Sequence, residues 1–471
     1  MGKDKKMIYE KKEKKHEIRR FGLRDKLGYM FGDFGNDFTF IFASSFLMVF
    51  YTKVLGISAG IVGTLFLTAR CVDAFTDVTM GRIVDVMRPS KNGRFRPWIL
   101  WMSGPVALAS FLMYQSGMAS APMTVKIIYM FVTYILWGSV FYTSINIPYG
   151  SMASVISDDP NDRAALSTFR SLGAALASIV IGVGTPMILY TKDEAGNQIL
   201  DGARMTWIAG IFSVCTIVCY LLCYVMTTER IQKKEVKKQE NFIQTVKDLL
   251  KNRALWGIIT AAIFLLLGQL LTQSMNQYLF ADYFRSAKAL SLMSFVGMLP
   301  TFLLAPFIVK LIQRFGKKES GATATILGGL IGIFLFVIRV KNPMTYILIN
   351  LISYFGFCYF NMIIWAMITD IIDDQEVKTG KREDGTIYAV YSFARKIGQA
   401  LAGGLGGFAL ELIGYNSLVQ VQTEAVRESI YSVSTLAPGI FYLAVGLSLI
   451  LIYPLNKKRV EENSRLLKKE K

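Results

Sequence analysis

Histidine is almost absent from this chain: His16 is the only one in 471 residues, and it sits in a run rich in lysine and glutamate. That excludes a histidine-ligated zinc protease and a Ser–His catalytic pair. Cysteine is scarce too. Cys71, Cys215, Cys219, Cys223 and Cys358 all fall inside apolar runs, with no metal-ligand spacing, and read as free buried thiols. No Gly-x-x-x-x-Gly-Lys-Ser/Thr loop occurs, so nucleotide hydrolysis is not the expected energy source. The first 26 residues lack the apolar core of a cleavable signal and carry 11 lysines and arginines instead. They read as a solvated cytoplasmic tail lying against anionic lipid. No enzymatic activity and no cofactor are expected.

What the chain has in abundance is apolar sequence: 53% of residues are hydrophobic, 13% are aromatic, and the mean hydropathy is +0.40. The apolar runs are long enough to cross a bilayer core of about 30 Å. Charge clusters and turn residues divide them into spans at 28–50, 58–84, 97–118, 124–152, 165–190, 205–227, 254–281, 287–313, 319–338, 344–372, 386–414 and 434–455. The net charge of +18 follows the same division. The tails and the loops after even-numbered spans hold 38 lysines and arginines, and the loops after odd-numbered spans hold 9. That asymmetry places both termini in the cytoplasm and argues against a nucleic-acid groove. The expected fold is therefore an all-α membrane protein with twelve transmembrane helices. Its parts are a tail at 1–27, a six-helix half at 28–227, a cytoplasmic linker at 228–253, a second six-helix half at 254–455 and a tail at 456–471.

An internal repeat agrees with the division. Arg170-Ser-Leu-Gly-Ala-Ala-Leu-Ala177 in the fifth span matches Arg395-Lys-Ile-Gly-Gln-Ala-Leu-Ala402 in the eleventh. An aspartate pair precedes each, Asp158-Asp159 and Asp373-Asp374, and these read as gate or capping charges at cytoplasmic helix ends. Two halves related by a parallel repeat are the organisation of major facilitator transporters.

Ionisable residues inside spans cost at least a few kcal/mol each, so each calls for a role. Asp73 and Asp77 lie four apart in the second span and share a helix face. A cation or proton would relieve their repulsion, with Thr76 as a neutral oxygen and Arg70 one turn before Asp73. Asp33 and Asp37 repeat the spacing in the first span, and Thr143 and Asn146 share a face in the fourth. Such groups are suited to sugar hydroxyls. Arg170 and Lys396 occupy neighbouring columns of the repeat and are positioned to pair with the carboxylates of an empty site, or to bind an anionic substrate. Arg395 reads as a cation snorkelling to the interface.

These residues carry a resemblance over 28–454. Gly32-Asp-Phe-Gly-Asn-Asp37, Arg70 to Gly81, Gly93-Arg-Phe-Arg-Pro-Trp98, Asn146-Ile-Pro-Tyr-Gly-Ser151 and Arg395-Lys396 resemble the glycoside-pentoside-hexuronide:cation symporters, the family of the melibiose permease. The resemblance implies a major facilitator fold working by alternating access, with a sugar between the halves and Na⁺ or H⁺ as the coupling ion. It assigns Asp73, Asp77 and Thr143 to the cation (a Na⁺ site if sodium couples) and Asp37, Arg170 and Lys396 to the sugar or its charge network. Tyr149, inside the fourth-span motif, is placed with the substrate residues. Three positions depart from the permease pattern: Asn146 stands for an acidic residue, Gly150 for a tryptophan, and Thr76 for an asparagine or alanine. Recognition of an α-galactoside is therefore not expected, and a glucuronide, xyloside or other glycoside is. Membrane lipids are the other contacts of a chain expected to act as a monomer in the cell membrane. A lysolipid carrier of the same fold is the alternative within transport, and a membrane sensor or scaffold the alternative outside it.

Overall fold

In a lipid layer backbone polar groups are satisfied within their own segment, so the apolar runs fold as helices. The computed structural model describes residues 19–87, 90, 92–157, 159–192, 198–231, 252–380 and 384–469. Its long helices are α1 Leu23–Phe42, extended by π-helical turns at Ala43–Leu47 and Phe50–Val54, α2 Ala59–Val86, α3 Arg96–Leu112, α4 Met123–Ile156, α5 Pro160–Ile179, extended to Leu189, and α6 Gly202–Met226. They continue with α7 Arg253–Tyr278, extended to Tyr283, α8 Ala287–Leu304, α9 Lys317–Ile338, α10 Pro343–Thr379, α11 Asp384–Leu412 and α12 Glu424–Leu451. A hairpin, β1 Tyr190–Lys192 with β2 Gln198–Leu200, follows α5. Among the described residues, ten helices are long and apolar enough to cross a membrane. The other two, α1 and α11, carry more charge: Arg24, Asp25, Lys26, Asp33 and Asp37 in α1, and Asp384, Arg395, Lys396 and Glu411 in α11. Large apolar side chains such as Leu108, Trp207 and Leu412 stand exposed on the outside, where a bilayer would cover them.

Several helices differ from the expected spans: α3 ends at Leu112 rather than 118, α5 begins at Pro160 rather than 165, α10 runs on to Thr379 rather than 372, and the eighth and twelfth differ for identifiable reasons. The eighth breaks at Ala305–Phe307, where Pro306 has no N–H to give the preceding turn, leaving a separate short helix Ile308–Phe315. The twelfth begins at Glu424 rather than 434, because the Thr423 hydroxyl accepts from Val426 N and caps it. Its first turns are polar and lie outside the hydrophobic pattern.

Packing repeats with an offset of six helices. In the first group α1 packs on α5 and α6, and α3 on α6; in the second α7 packs on α11 and α12, and α9 on α12. The glycine of the internal repeat explains part of this. A Cβ on Gly173 would lie 2.5 Å from Met30 O of α1, and one on Gly398 would lie 3.2 Å from Leu266 of α7. At Gly173 only a hydrogen fits against that backbone, while at Gly398 the Leu266 side chain would have to shift to admit a methyl group. The groups meet along α2 and α11, where a Cβ on Gly407 would lie 2.4 Å from Ala59 O.

The ends of α1 and α7 meet, so these helices run in parallel and both described chain ends lie on one face, the terminal face. On the opposite face the groups are joined by Thr52–Tyr278 at 2.8 Å, Lys53–Asp282 at 2.5 Å, Tyr190–Gln277 at 3.2 Å and Gly60 N–Glu411 at 3.0 Å. Nearer the terminal face, among the described residues, the one polar contact between groups is Lys396 with Asp77. Among the described residues, the contacts between the groups are thus concentrated on the face opposite the chain ends. Glu229, just beyond α6, organises part of the terminal face by accepting from the backbone N–H groups of Arg94, Phe95 and Arg96 at 2.7–2.8 Å. Its carboxylate satisfies the open N-terminus of α3.

Candidate functional site

α2 and α4 run in parallel, which brings their four-residue spacings into register. Ser139 donates to Asp73 Oδ1 at 2.5 Å and Thr143 donates to Asp77 Oδ1 at 3.0 Å. Residues 136–142 of α4 form a wide π-helical segment, and the Thr143 hydroxyl also lies 3.2 Å from the Gly138 carbonyl within it. π-helical turns of this kind occur often at functional sites, because they rotate side chains off the regular helical face. The second oxygen of each carboxylate meets a base. Arg70 Nη1 lies 3.3 Å from Asp73 Oδ2, and Lys396 Nζ, from α11, pairs with Asp77 Oδ2.

These groups line a cavity of about 460 Å³ between α2, α4 and α11. Among the described residues, its Asp, Glu, Lys and Arg lining residues are Arg70, Asp73, Asp77 and Lys396. They balance. Asn146 also faces the cavity and has no hydrogen-bond partner among the described residues, while Tyr134, Trp137, Tyr142 and Phe40 supply apolar and aromatic wall. The Arg70 guanidinium stands 5.9 Å from the Phe40 ring centre. Among the described residues there is no cluster of three or more His, Cys, Asp and Glu side chains suited to a metal ion. A cation between Asp73 and Asp77 would draw its remaining oxygens from Thr143 and the cavity.

A second cluster lies on α1 and α5. Arg170 Nε is 2.8 Å from Asp33 Oδ1, and its guanidinium covers the Tyr149 ring at 5.4 Å. Tyr149 stacks on Tyr29 at 4.7 Å and donates to Tyr29 O at 2.7 Å. Asp37 is half-buried with its Oδ1 3.4 Å from Asn36 Nδ2, and Asn36 in turn ties Tyr142 and Tyr220 to α1. Neither Asp33, Asp37, Arg170 nor Tyr149 lines the α2–α4–α11 cavity.

Several expected site residues therefore stand elsewhere. Tyr149 is buried and engaged with α1, so it is a packing residue in this state of the molecule. Thr76 gives its hydroxyl to the carbonyls of Val72 and Asp73, because the residue before Asp77 is turned about a quarter of the helix away from it. Arg395 lies on Trp365 and Tyr391 at 5.5 and 5.9 Å and leaves the cavity to Lys396. Asp373 is half-buried near the end of α10, whereas its neighbour Asp374 is buried and pairs with Lys378 and with Arg459 of the terminal helix Lys457–Lys469. Asp158 lies outside the described residues. Ser139 and Trp137 were not singled out in the sequence. Ser139 precedes Thr143 by one turn, a spacing that mirrors Asp73 and Asp77 and was available as a signal.

Comparison with known proteins places this geometry in context. A family model described as MFS/sugar transport protein matches residues 28–457. The uncharacterized symporter YjmB of Bacillus subtilis (strain 168) is 30% identical, over 95% of both chains. The glucuronide carrier protein homolog of Escherichia coli (strain K12) is 29% identical, over 94% of this chain and 95% of its own. Among solved structures, a D-xylose-proton symporter superposes with a TM-score of 0.60 at 12% identity, covering 92% of this chain and 98% of its own. At that identity the likeness speaks to the fold alone; the family match makes the chain an all-helical transporter of the major facilitator type.

Proposed function

Because the chain belongs to the MFS/sugar transport protein family, we propose that it is a cation-coupled symporter that carries a sugar or glycoside across the cell membrane by alternating access. In this reading α1 and α11 join the ten apolar helices as crossings. That makes twelve in two groups of six, with the lysine-rich terminal face toward the cytoplasm.

The observation that carries the proposal is the ion pair from Lys396 of α11 to Asp77 of α2. It is a protein-borne positive charge occupying one carboxylate of a same-face pair. A coupling Na⁺ or H⁺ entering at Asp73 and Asp77 competes with Lys396 for that position. Its binding releases the Lys396–Asp77 contact between the two groups of helices. Ion occupancy and the relative position of the groups are then linked, which is what coupling requires.

The charge balance of the cavity supports an acidic glycoside as cargo. With two acids and two bases the lining is neutral when empty, and a bound cation leaves one positive charge in a site of low dielectric. A substrate carboxylate restores neutrality, and the freed Lys396 ammonium is at hand to meet it. Asn146, uncharged, raises no electrostatic objection. The carrier named for glucuronide among the relatives agrees with this choice. An acyl chain would leave the four charged groups facing hydrocarbon, which argues against a lysolipid.

The test is uptake by proteoliposomes. Labelled methyl glucuronide should accumulate when a Na⁺ or proton gradient is imposed and only equilibrate without one. Equal uptake with and without both gradients would remove coupling from the proposal.

A further inference from the structure

A second cavity, of about 260 Å³, lies between the two groups of helices, bounded by α1, α5, α7, α8, α10 and α12. Among the described residues, no Asp, Glu, Lys, Arg or His side chain lines it. Its polar wall is largely a row on one face of α7: Gln269, Gln273, Asn276 and Gln277, spaced so that the amides succeed each other turn by turn. Rings of Tyr354 and Tyr442 stand among the facing residues. The row is partly engaged with the other group. Gln273 Nε2 reaches Ser44 Oγ and Ser45 Oγ at 3.1 Å, and Gln277 Oε1 accepts from Tyr190 at 3.2 Å, capping the cavity where the groups are joined. Gln269 has no hydrogen-bond partner among the described residues, although it sits in the middle of a membrane-spanning helix.

We infer that this α7 face is a subsite for the neutral, hydroxyl-bearing part of the cargo. The inference rests on the glycoside reading given above and adds a location and a division of labour to it. A primary amide presents both donors and an acceptor, and so matches sugar hydroxyls, which are donor and acceptor at once. Uncharged amides bind hydroxyls without the desolvation cost of buried ions, and tyrosine rings cover the apolar faces of a pyranose. Charge is dealt with in the cavity of α2, α4 and α11, and the ring is recognised on α7. Because the row also holds Ser44, Ser45 and Tyr190 of the first group, a ligand there competes with contacts that keep the groups together.

The experiment is competition by methyl glucuronide, methyl xyloside and their monodeoxy analogues against the labelled wild-type substrate in proteoliposomes, for wild type, Gln269→Leu and the milder Gln269→Asn. Loss of one neutral hydrogen bond predicts about fivefold weaker competition by the parent sugar. The defect should vanish for the one deoxy analogue that lacks the hydroxyl Gln269 meets, and the cation dependence should stay as in wild type. Uniform weakening across all analogues in both variants would make Gln269 a structural residue, and affinity within twofold of wild type would place the sugar elsewhere. Either overturns the subsite while leaving symport standing. Failure of the wild type to take up any glycoside would overturn the glycoside reading itself, and the subsite with it.

Discussion

Thr143 and Asp77 are joined by a hydrogen bond of 3.0 Å between parallel helices, and the bond from Ser139 to Asp73 repeats it one turn earlier. Each carboxylate thus has one oxygen fixed by a hydroxyl of α4 and the other held by a base. In the proposed coupling, the hydroxyls would orient the pair and Lys396 would be the partner that the cation displaces.

Neutralising either acid should separate coupling from movement. Asp73→Asn and Asp77→Asn keep the side-chain shape but remove the charge that a cation needs. Concentrative uptake should be lost in both, while exchange of labelled for unlabelled substrate persists at a measurable rate. A variant that still accumulates substrate with wild-type ion dependence would take that carboxylate out of the coupling site.

The two threonines near these acids should behave differently. Thr143 lines the cavity and donates to Asp77, so Thr143→Val removes both an oxygen ligand and a charge-assisted hydrogen bond of roughly 1.5 kcal/mol or more. Apparent affinity for the coupling cation should fall about tenfold. Thr143→Ser should restore it. Thr76→Val removes only hydroxyl contacts to its own helix and should leave cation affinity within about twofold. Titration of Na⁺ activation in the three variants decides the matter; equal losses at both positions would contradict the geometry.

Asp73 and Asp77 were legible because an acid in an apolar run is conspicuous and a spacing of four defines a face. The helices themselves were legible from their apolar runs, except where a cap or a proline acted outside the hydrophobic pattern, as at Thr423 and Pro306. Thr76 was placed with the site from its nearness in sequence to Asp77, but neighbours along a helix point about 100° apart; Tyr149, three residues from Asn146, is drawn instead into a stack on Tyr29 that only the packing of α4 on α1 reveals. Arg70 and Arg170 both carry a charge inside a span, and only the packing of α2 against α4 and α11 shows which of them faces the first cavity. The amide row of α7 left no trace in charge counting, since glutamine and asparagine carry no ion to explain.

Glu229 offers a prediction about stability rather than transport. Its carboxylate takes three backbone N–H groups at the start of α3, a position where negative charge is favoured by the helix dipole. Glu229→Ala leaves those donors unpaired and should cost about 2 kcal/mol or more. The melting temperature in detergent should drop by several degrees, while cation and substrate affinities of the folded fraction stay as in wild type. An unchanged melting temperature would mean that water satisfies the α3 terminus equally well.

Asn146→Asp tests the charge of the cargo. Asn146 faces a cavity whose two acids and two bases cancel, so the substitution makes the lining negative by one. A substrate carboxylate some 8 Å away would then be penalised by about 2 kcal/mol at an effective dielectric constant of about 20, or roughly thirtyfold in affinity. A neutral glycoside of the same shape would escape that term. The measurement is competition by matched acidic and neutral methyl glycosides against one labelled substrate, in wild type and in the variant. The expected result is a wild type that prefers the acid and a variant in which the preference falls by an order of magnitude or more. If the ratio does not move, the carboxylate of the cargo lies away from α4 or the cargo has none. A hexuronide would then give way to a neutral sugar, with Lys396 and the two aspartates still serving the cation.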